Sequence, residues 1–328
     1  MAEPLVDPHG RTVRDLRISI TDRCNLRCRY CMPAEGLAWL PRPELLTYEE
    51  IERVARVCVE RFGFTGIRIT GGEPTVRAHL PVLVENLARL GTDLSLTTNG
   101  ATLRLLAGDL RAAGLHRINI SLDSLRPETF FAITRRHALD QVLDGIEAAV
   151  EAGLSPVKVN CVLIRGVNDD EIVDFARFGR ERGVTMRFIE FMPLDAEEGW
   201  TPGTVVPGAE VVEKISAVYP LQPVAVRGSA PAERFRYADG AGEIGVIASV
   251  TQSFCGSCDR VRLTADGMFR NCLFAVKETD LRAILRAGGS DDDVAAAIVA
   301  DVGTKWAGHS IGQVTFVRPE RSMSQIGG

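Results

Sequence analysis

The chain has 328 residues, 45% of them apolar and 25% charged, with a formal net charge of −5. This composition excludes a disordered or collagen-like chain, and the longest apolar run, residues 294–300, is far too short to span a membrane. The mildly acidic balance argues against a general nucleic-acid binder. The acidic, proline-broken first residues do not read as a secretory signal, so the cytoplasm is the expected location. A chain of this length has room for two domains, or for one large α/β barrel with an appendage.

A strand is predicted over 16–21. Thr47-Tyr48-Glu49-Glu50 is a capping box and should open a helix that runs to about residue 61. A strand follows over 66–70, a helix around 80–90, a strand over 93–97, a helix over 102–113 and a strand over 117–121. After a short irregular piece come a helix over 139–152, a strand over 157–164, a helix over 169–182 and a strand over 185–191. Six successive strand–helix units imply a parallel sheet with its helices outside. Right-handed crossovers would curl six strands into an incomplete barrel. Residues 194–207 read as a loop and 208–218 as a helix. The remainder is less regular, with strands near 234–237, 244–249 and 261–264, then helices near 279–286 and 291–302. The expected division is a barrel domain over 1–220 and a second domain over 221–328.

Successive strand residues face opposite sides. Arg17, Ser19 and Thr21 share a face opposite Leu16, Ile18 and Ile20, and Arg68 and Thr70 oppose isoleucines. Ser95, Thr97 and Asn99 align, as do Asn119, Ser121 and Asp123, and Lys158 and Asn160. The apolar faces should meet the helices, which leaves the polar stripes to line a lumen suited to a charged ligand. The plainer alternative is a sheet with one solvated face.

Eight cysteines fall into two groups of three, Cys24, Cys28, Cys31 and Cys255, Cys258, Cys272, which leaves Cys58 and Cys161 as core candidates. The first group, spaced C-x3-C-x2-C, follows the first strand, at the edge where barrel active sites lie. Three thiolates suit a four-iron cluster with one iron open to a ligand; a zinc loop would want a fourth ligand. Thr70-Gly71-Gly72-Glu73-Pro74 lies at the same edge. Its glycines allow close backbone approach, and Glu73 could accept from an ammonium. The second group, spaced C-x2-C-x13-C, again leaves an open position. A second four-iron cluster is the economical reading, with zinc completed by His309 as the alternative. Arg260 and Arg262 share a strand face beside Cys258. With Arg17, Arg68 and Lys158 they form a cationic set suited to phosphate.

The first cysteine loop, with Tyr30 between its second and third cysteines, resembles the signature of the radical S-adenosylmethionine (SAM) superfamily. Almost the whole chain resembles one family within it, the GTP 3′,8-cyclases of molybdenum cofactor biosynthesis. The motifs are Gly10-Arg11, residues 16–24, Arg68 to Pro74, Thr97 to Gly100, Ser121 to Ser124, Lys158 to Asn160, Arg187 to Met192, both cysteine groups, and the terminal Gly327-Gly328. Asp259 departs from the asparagine more often expected there. The resemblance implies an α/β, incomplete (β/α)6 TIM-like barrel whose C-terminal cluster-binding region closes the lumen. It implies two [4Fe-4S] clusters on the six cysteines, with SAM against Tyr30, Gly72, Glu73, Ser121 and Met192. GTP would lie against Arg17, Arg68, Thr97, Lys158, Arg260 and Arg262. A 5′-deoxyadenosyl radical would abstract the ribose 3′ hydrogen, and addition to guanine C8 would give 3′,8-cyclo-7,8-dihydro-GTP. Gly327 and Gly328 match a flexible tail that reaches into the site. An external one-electron donor is implied, the product would pass to cyclic pyranopterin monophosphate synthase, and a homodimer stays open. The competing readings are another radical SAM enzyme with an auxiliary cluster, and a non-enzymatic iron–sulfur protein.

Replacing Cys24, Cys28 or Cys31 by Ala should abolish SAM cleavage, measured as 5′-deoxyadenosine by chromatography. Cys272→Ala should lose the product yet keep slow, uncoupled cleavage. Retained cleavage in a first-group variant would refute the assignment of that group.

Overall fold

The alternation of apolar and polar residues along each strand builds one sheet whose helices cover its apolar face. The computed structural model describes residues 2–194, 199–225, 227–314 and 316–327. The strands β1 (Asp15–Ser19), β2 (Gly66–Thr70), β3 (Asp93–Thr98), β4 (Arg117–Ser121), β5 (Val157–Leu163) and β6 (Thr185–Glu190) lie side by side, all parallel. Leu16, Ile18, Ile67, Ile69, Leu96, Ile118, Val159 and Phe188 are buried on the helix side. Cys58 and Cys161 belong to this core, as expected.

The later strands are β7 (Leu221–Pro223), β8 (Glu233–Tyr237), β9 (Glu243–Ile247), β10 (Arg260–Leu263), β11 (Met268–Arg270) and β12 (Thr279–Asp280). They join the same sheet. Among the described residues its order is β12-β11-β10-β1-β2-β3-β4-β5-β6-β9-β8-β7. β10 adds parallel to β1 and β9 adds parallel to β6, while β7, β8, β11 and β12 pair antiparallel outside them. Among the described residues the two ends of the sheet, β12 and β7, are not hydrogen-bonded to each other, so the barrel is an open arc, as the six-unit pattern predicted. Residues beyond 221 extend both edges of that arc.

Helix α1 (Tyr48–Phe62) opens on the expected capping box, and Gly63 ends it in the left-handed region. The other helices are α2 (Leu80–Ala88), α3 (Ala107–Ala112), α4 (Pro127–Thr134), α5 (Leu139–Glu151), α6 (Ile172–Arg182), α7 (Gly208–Ser216), α8 (Leu281–Arg286), α9 (Asp291–Val302) and the one-turn α10 (Met323–Ile326). Two expectations change. The helix predicted over 102–113 splits into a 3-10 turn, Leu103–Leu105, and α3, with Leu106 (φ −125°, ψ −16°) leaving the helical region between them. The irregular piece before 139 contains α4, started by Pro127 at its first turn. The loop expected over 194–207 falls partly outside the described residues; its described part contains a 3-10 turn, Pro202–Thr204.

The approach of α5 depends on Gly145. A Cβ there would stand 2.2 Å from the Gly100 carbonyl oxygen, closer than any packed contact. Gly145→Ala should destabilise the protein by about 1–3 kcal/mol, the usual range for overpacking, read as a lower urea midpoint with an unchanged slope.

Candidate active site

The first cysteine group lies on the loop that leaves β1, and four neighbours fix that loop. The Gly72 N–H donates to Thr21 O at 2.7 Å and the Glu73 N–H to Arg23 O at 2.8 Å. A Cβ on Gly72 would stand 2.4 Å from Arg23 O and 2.5 Å from Asp22 O, so only glycine permits this approach. The last carbonyls of α4 accept from the loop, Arg27 N–H to Thr134 O at 2.9 Å and Arg29 N–H to Ile133 O at 3.0 Å. Asn99, just past β3, donates to Asn25 Oδ1 at 2.7 Å. Within the loop, the Cys31 and Met32 N–H groups both donate to Cys28 O at 2.9 Å.

Tyr30 points inward and donates to Asp123 Oδ2 at 2.6 Å, while Asp123 Oδ1 accepts from Val162 N–H at 2.8 Å. Burial raises the Asp123 carboxyl to about 6 against the lowering effect of these two bonds. The Glu73 carboxylate is fully buried and held within the turn: Oε1 accepts from Thr75 N–H, Thr75 Oγ1 and Thr98 Oγ1, and Oε2 from Asn99 N–H, at 2.6–3.0 Å.

The second group lies at the other end of the arc. Cys255 and Cys258 precede β10, which runs parallel to β1 with Asp15 opposite Arg260. Cys272 follows the antiparallel β11 and returns to the same end. A five-residue strand spans about 16 Å, which separates the two mouths. Arg270, 2% exposed, shapes the Cys272 loop by pairing with Glu278 and donating to the Ala275 carbonyl. Arg260 Nε donates to Cys258 Sγ at 3.3 Å. His309 hydrogen-bonds Cys255 and holds Ser249 O at 2.9 Å.

The thiols of the two groups differ. Burial pushes Cys24 up to about 11, Cys31 up to about 12 and Cys28 well above its ordinary value, with acidic neighbours adding to the rise. Burial also pushes Cys255 up, but hydrogen bonds from His309 and Ser253 outweigh it and bring it down to about 6. Cys258 is likewise lowered, by Arg260 and Lys305 against burial, whereas burial leaves Cys272 raised. Among the described residues no three His, Cys, Asp or Glu side chains converge as ligands of one metal ion. Three cysteines in each group, with no fourth ligand among the described residues, suit a four-iron cluster with one iron open better than a mononuclear zinc site, which takes four.

Between the mouths lies a cavity of ≈ 250 Å³ lined by Arg17, Tyr30, Arg68, Thr97, Ser121, Met192, Arg260, Arg262 and the three cysteines of the second group. A second cavity of ≈ 220 Å³ opens at the N-terminal strand ends. It shares Arg17, Arg68, Arg187 and Arg260 with the first and adds Lys158 and Asp259. Burial and mutual repulsion push Arg17 down to about 9, and Arg68 and Arg187 down to about 10; all stay cationic at neutral pH. Among the described residues Arg17 Nε, Arg187 Nε and Asn160 Oδ1 are buried without a hydrogen-bond partner. An orphaned buried polar atom costs about 1–3 kcal/mol, and an anionic, hydrogen-bonding ligand in the lumen would satisfy all three.

The tail reaches this lumen. Arg321 pairs with Asp266 and Glu278 at 2.8 and 2.9 Å, Ser324 hydrogen-bonds Cys31, and Arg262 donates to the Gly327 carbonyl. A Cβ on Gly327 would meet Thr70 Oγ1 at 2.5 Å. Gly328 lies outside the described residues. Sequence reasoning did not single out Arg187, Asp123 or Phe254 as site residues. Arg187 was discoverable, because it continues the inward polar alternation on β6. Phe254, stacked 4.7 Å from the Arg260 guanidinium, carried no such signal.

Residues 18–179 match the radical SAM superfamily and residues 184–311 the family described as Molybdenum Cofactor Synthesis C. The chain is 50% identical over its whole length, and over 97% of the relative's, to the GTP 3′,8-cyclase of Streptomyces coelicolor. It belongs to the GTP 3′,8-cyclase family. A relative from Rhodopirellula baltica with that name is also 50% identical, over 100% of this chain and 94% of its own. The GTP 3′,8-cyclase 2 of Mycobacterium tuberculosis H37Rv is 49% identical over 99% of this chain and 92% of its own. Among solved structures, Streptococcus suis SuiB bound to S-adenosylmethionine superposes with a TM-score of 0.61 at 13% identity, over 88% of this chain and 69% of that one. That likeness supports the radical SAM fold. No helix among the described residues is long and apolar enough to cross a membrane.

Lys158 offers a pH test of the lower cavity. Burial, then repulsion from Arg187, Arg117 and Arg68, lowers its ammonium to about 8. The cation is therefore present below that pH and lost above it. Tripolyphosphate affinity, measured by calorimetry, should fall between pH 7 and 9 relative to Lys158→Arg, by up to about fivefold, the range of a partly exposed ion pair.

Proposed function

We propose that this protein is a radical SAM GTP 3′,8-cyclase catalysing the first step of molybdenum cofactor biosynthesis. The observation that carries the reading is one basic cavity lined by the second cysteine triad and by Tyr30 from the loop that carries the first. The first triad, Cys24, Cys28 and Cys31, would hold a [4Fe-4S] cluster with one iron open, and the second, Cys255, Cys258 and Cys272, another. When bound, the first centre would supply the electron that cleaves SAM to a 5′-deoxyadenosyl radical; abstraction of the ribose 3′ hydrogen of GTP, addition of the ribose radical to guanine C8, and one further electron and proton would give 3′,8-cyclo-7,8-dihydro-GTP.

The chain's own residues do the positioning. Tyr30, held by Asp123, and the Gly72 backbone form the SAM side of the lumen with Ser121 and Met192. Arg17, Arg68, Arg260, Arg262 and Lys158 bind the triphosphate, and Thr97 faces the nucleoside. Arg187 joins them, since its orphaned Nε needs an acceptor. Holding both ligands in a shared enclosed lumen fixes the reacting carbon against the radical source and keeps water out. Residues 221–328 act as the auxiliary cluster-binding region, with Gly327 and Gly328 as its tail. A cytoplasmic setting, an external one-electron donor and a downstream cyclic pyranopterin monophosphate synthase complete the proposal.

The test is an anaerobic turnover with SAM, a strong reductant and GTP deuterated at the ribose 3′ carbon, followed by mass analysis of 5′-deoxyadenosine. Deuterium in that product is expected. Unlabelled 5′-deoxyadenosine would overturn the GTP assignment while keeping the superfamily chemistry, and none at all would overturn both.

A further inference from the structure

Residues 304–309, an irregular stretch after α9, pack against the second cysteine triad. Two side chains pin them there. Arg11 donates from Nη1 to the carbonyls of Cys255 and Ala307 at 2.7 Å, and from Nη2 to Trp306 O at 2.6 Å. Asn271, next to Cys272, donates to Thr304 Oγ1 at 3.0 Å and Asp301 O at 2.8 Å. Gly308 lies so close that a Cβ on it would stand 3.0 Å from Cys255 Cβ and 3.5 Å from its sulfur.

This stretch carries Lys305, which is 3% exposed. Its Nζ donates to the Arg260 carbonyl at 2.6 Å. Among the described residues no carboxylate forms an ion pair with it: the opposite charges that act on it most are the Cys258 and Cys272 sulfurs, ahead of Asp7, whose carboxylate is already paired with Arg11 at 2.6 Å. Burying an ammonium is costly unless a counter-charge meets it. A four-iron cluster on three thiolates supplies one, because its net charge is negative when oxidised and more negative after one-electron reduction. The first triad has more acidic surroundings, with Asp123 and Glu73 beside it and Arg27 as a weaker opposing cation.

We propose that Lys305 is a positioning residue of the second site, the buried counter-charge that retains the three-thiolate cluster and raises its reduction potential. The inference rests on the reading that Cys255, Cys258 and Cys272 carry such a cluster. It makes the second cluster the easier of the two to reduce.

The test uses the full chain with Cys24, Cys28 and Cys31 changed to Ala, so that only the second site can load. Iron and sulfide are counted, and the cluster is titrated anaerobically with dithionite under electron paramagnetic resonance. A parent without iron would overturn the second-cluster reading and this inference with it. In a loaded parent, Lys305→Met is expected to shift the equilibrium about tenfold against reduction, which is ~59 mV for one electron, while Lys305→Arg stays near the parent. Loss of the cluster in Lys305→Met with retention in Lys305→Arg supports the same role. A fully loaded Lys305→Met at the parent potential, or loss of the cluster from both variants, would overturn it.

Discussion

Arg262, Arg17 and Arg68 stand side by side on three hydrogen-bonded strands, all facing inward. Like charges directly opposite one another destabilise a sheet, and here the lumen also buries them. Their repulsion is carried by the other face of the same strands, where Leu16, Ile18, Ile67, Ile69, Val261 and Leu263 are buried in the core. The lumen is therefore held in a state that an anion would relax. Arg187, orphaned at Nε, and Lys158, lowered by the same cations, feel that field from the far side of the arc. So does the tail, since a backbone carbonyl at Gly327 is the acceptor that Arg262 finds within the protein.

Topology turns this field into a two-ended chamber. Cysteines after β1 fall at one mouth, and cysteines before the parallel β10 fall at the other. Had β10 joined antiparallel, both groups would have shared one mouth. The two ends are also electrically unlike. Asp123 and Glu73 outweigh Arg27 beside the first triad, while Arg260, Lys305 and His309 face the second. A ligand bridging the chamber meets an electron-poor environment at one end and a thiol cluster among carboxylates at the other.

Much of the fold was legible because its signals are local. Strand alternation in 16–20 or 66–70 and the Thr47–Glu50 box depend on neighbours a few residues apart. The parallel arc followed from their sequence order alone. What failed depended on contacts across the chain. The helix expected over 102–113 is interrupted at Leu106, in a stretch packed against α5. The helix α4 is short and weakly amphipathic, and it earns its stability by accepting from the cysteine loop. In the site, residue types on strand faces could be named from sequence, as could both cysteine groups. The four donors that hold Glu73 were hidden, because they converge from the turn and from the end of β3. The pairing of Arg262 beside Arg17 was equally hidden, since it depends on the register between β1 and a strand far along the chain.

That register also governs how the protein is made. β1 emerges early, yet one of its two edges stays bare until residue 263 has been synthesised. At roughly 5–20 residues per second, this interval lasts on the order of tens of seconds. Long-range strand pairing is slow because a large loop must close first, and an unpaired strand edge is a template for other chains. The aggregation-prone species is thus the nascent chain, carrying a half-built arc whose first cysteine loop already exists and whose second does not.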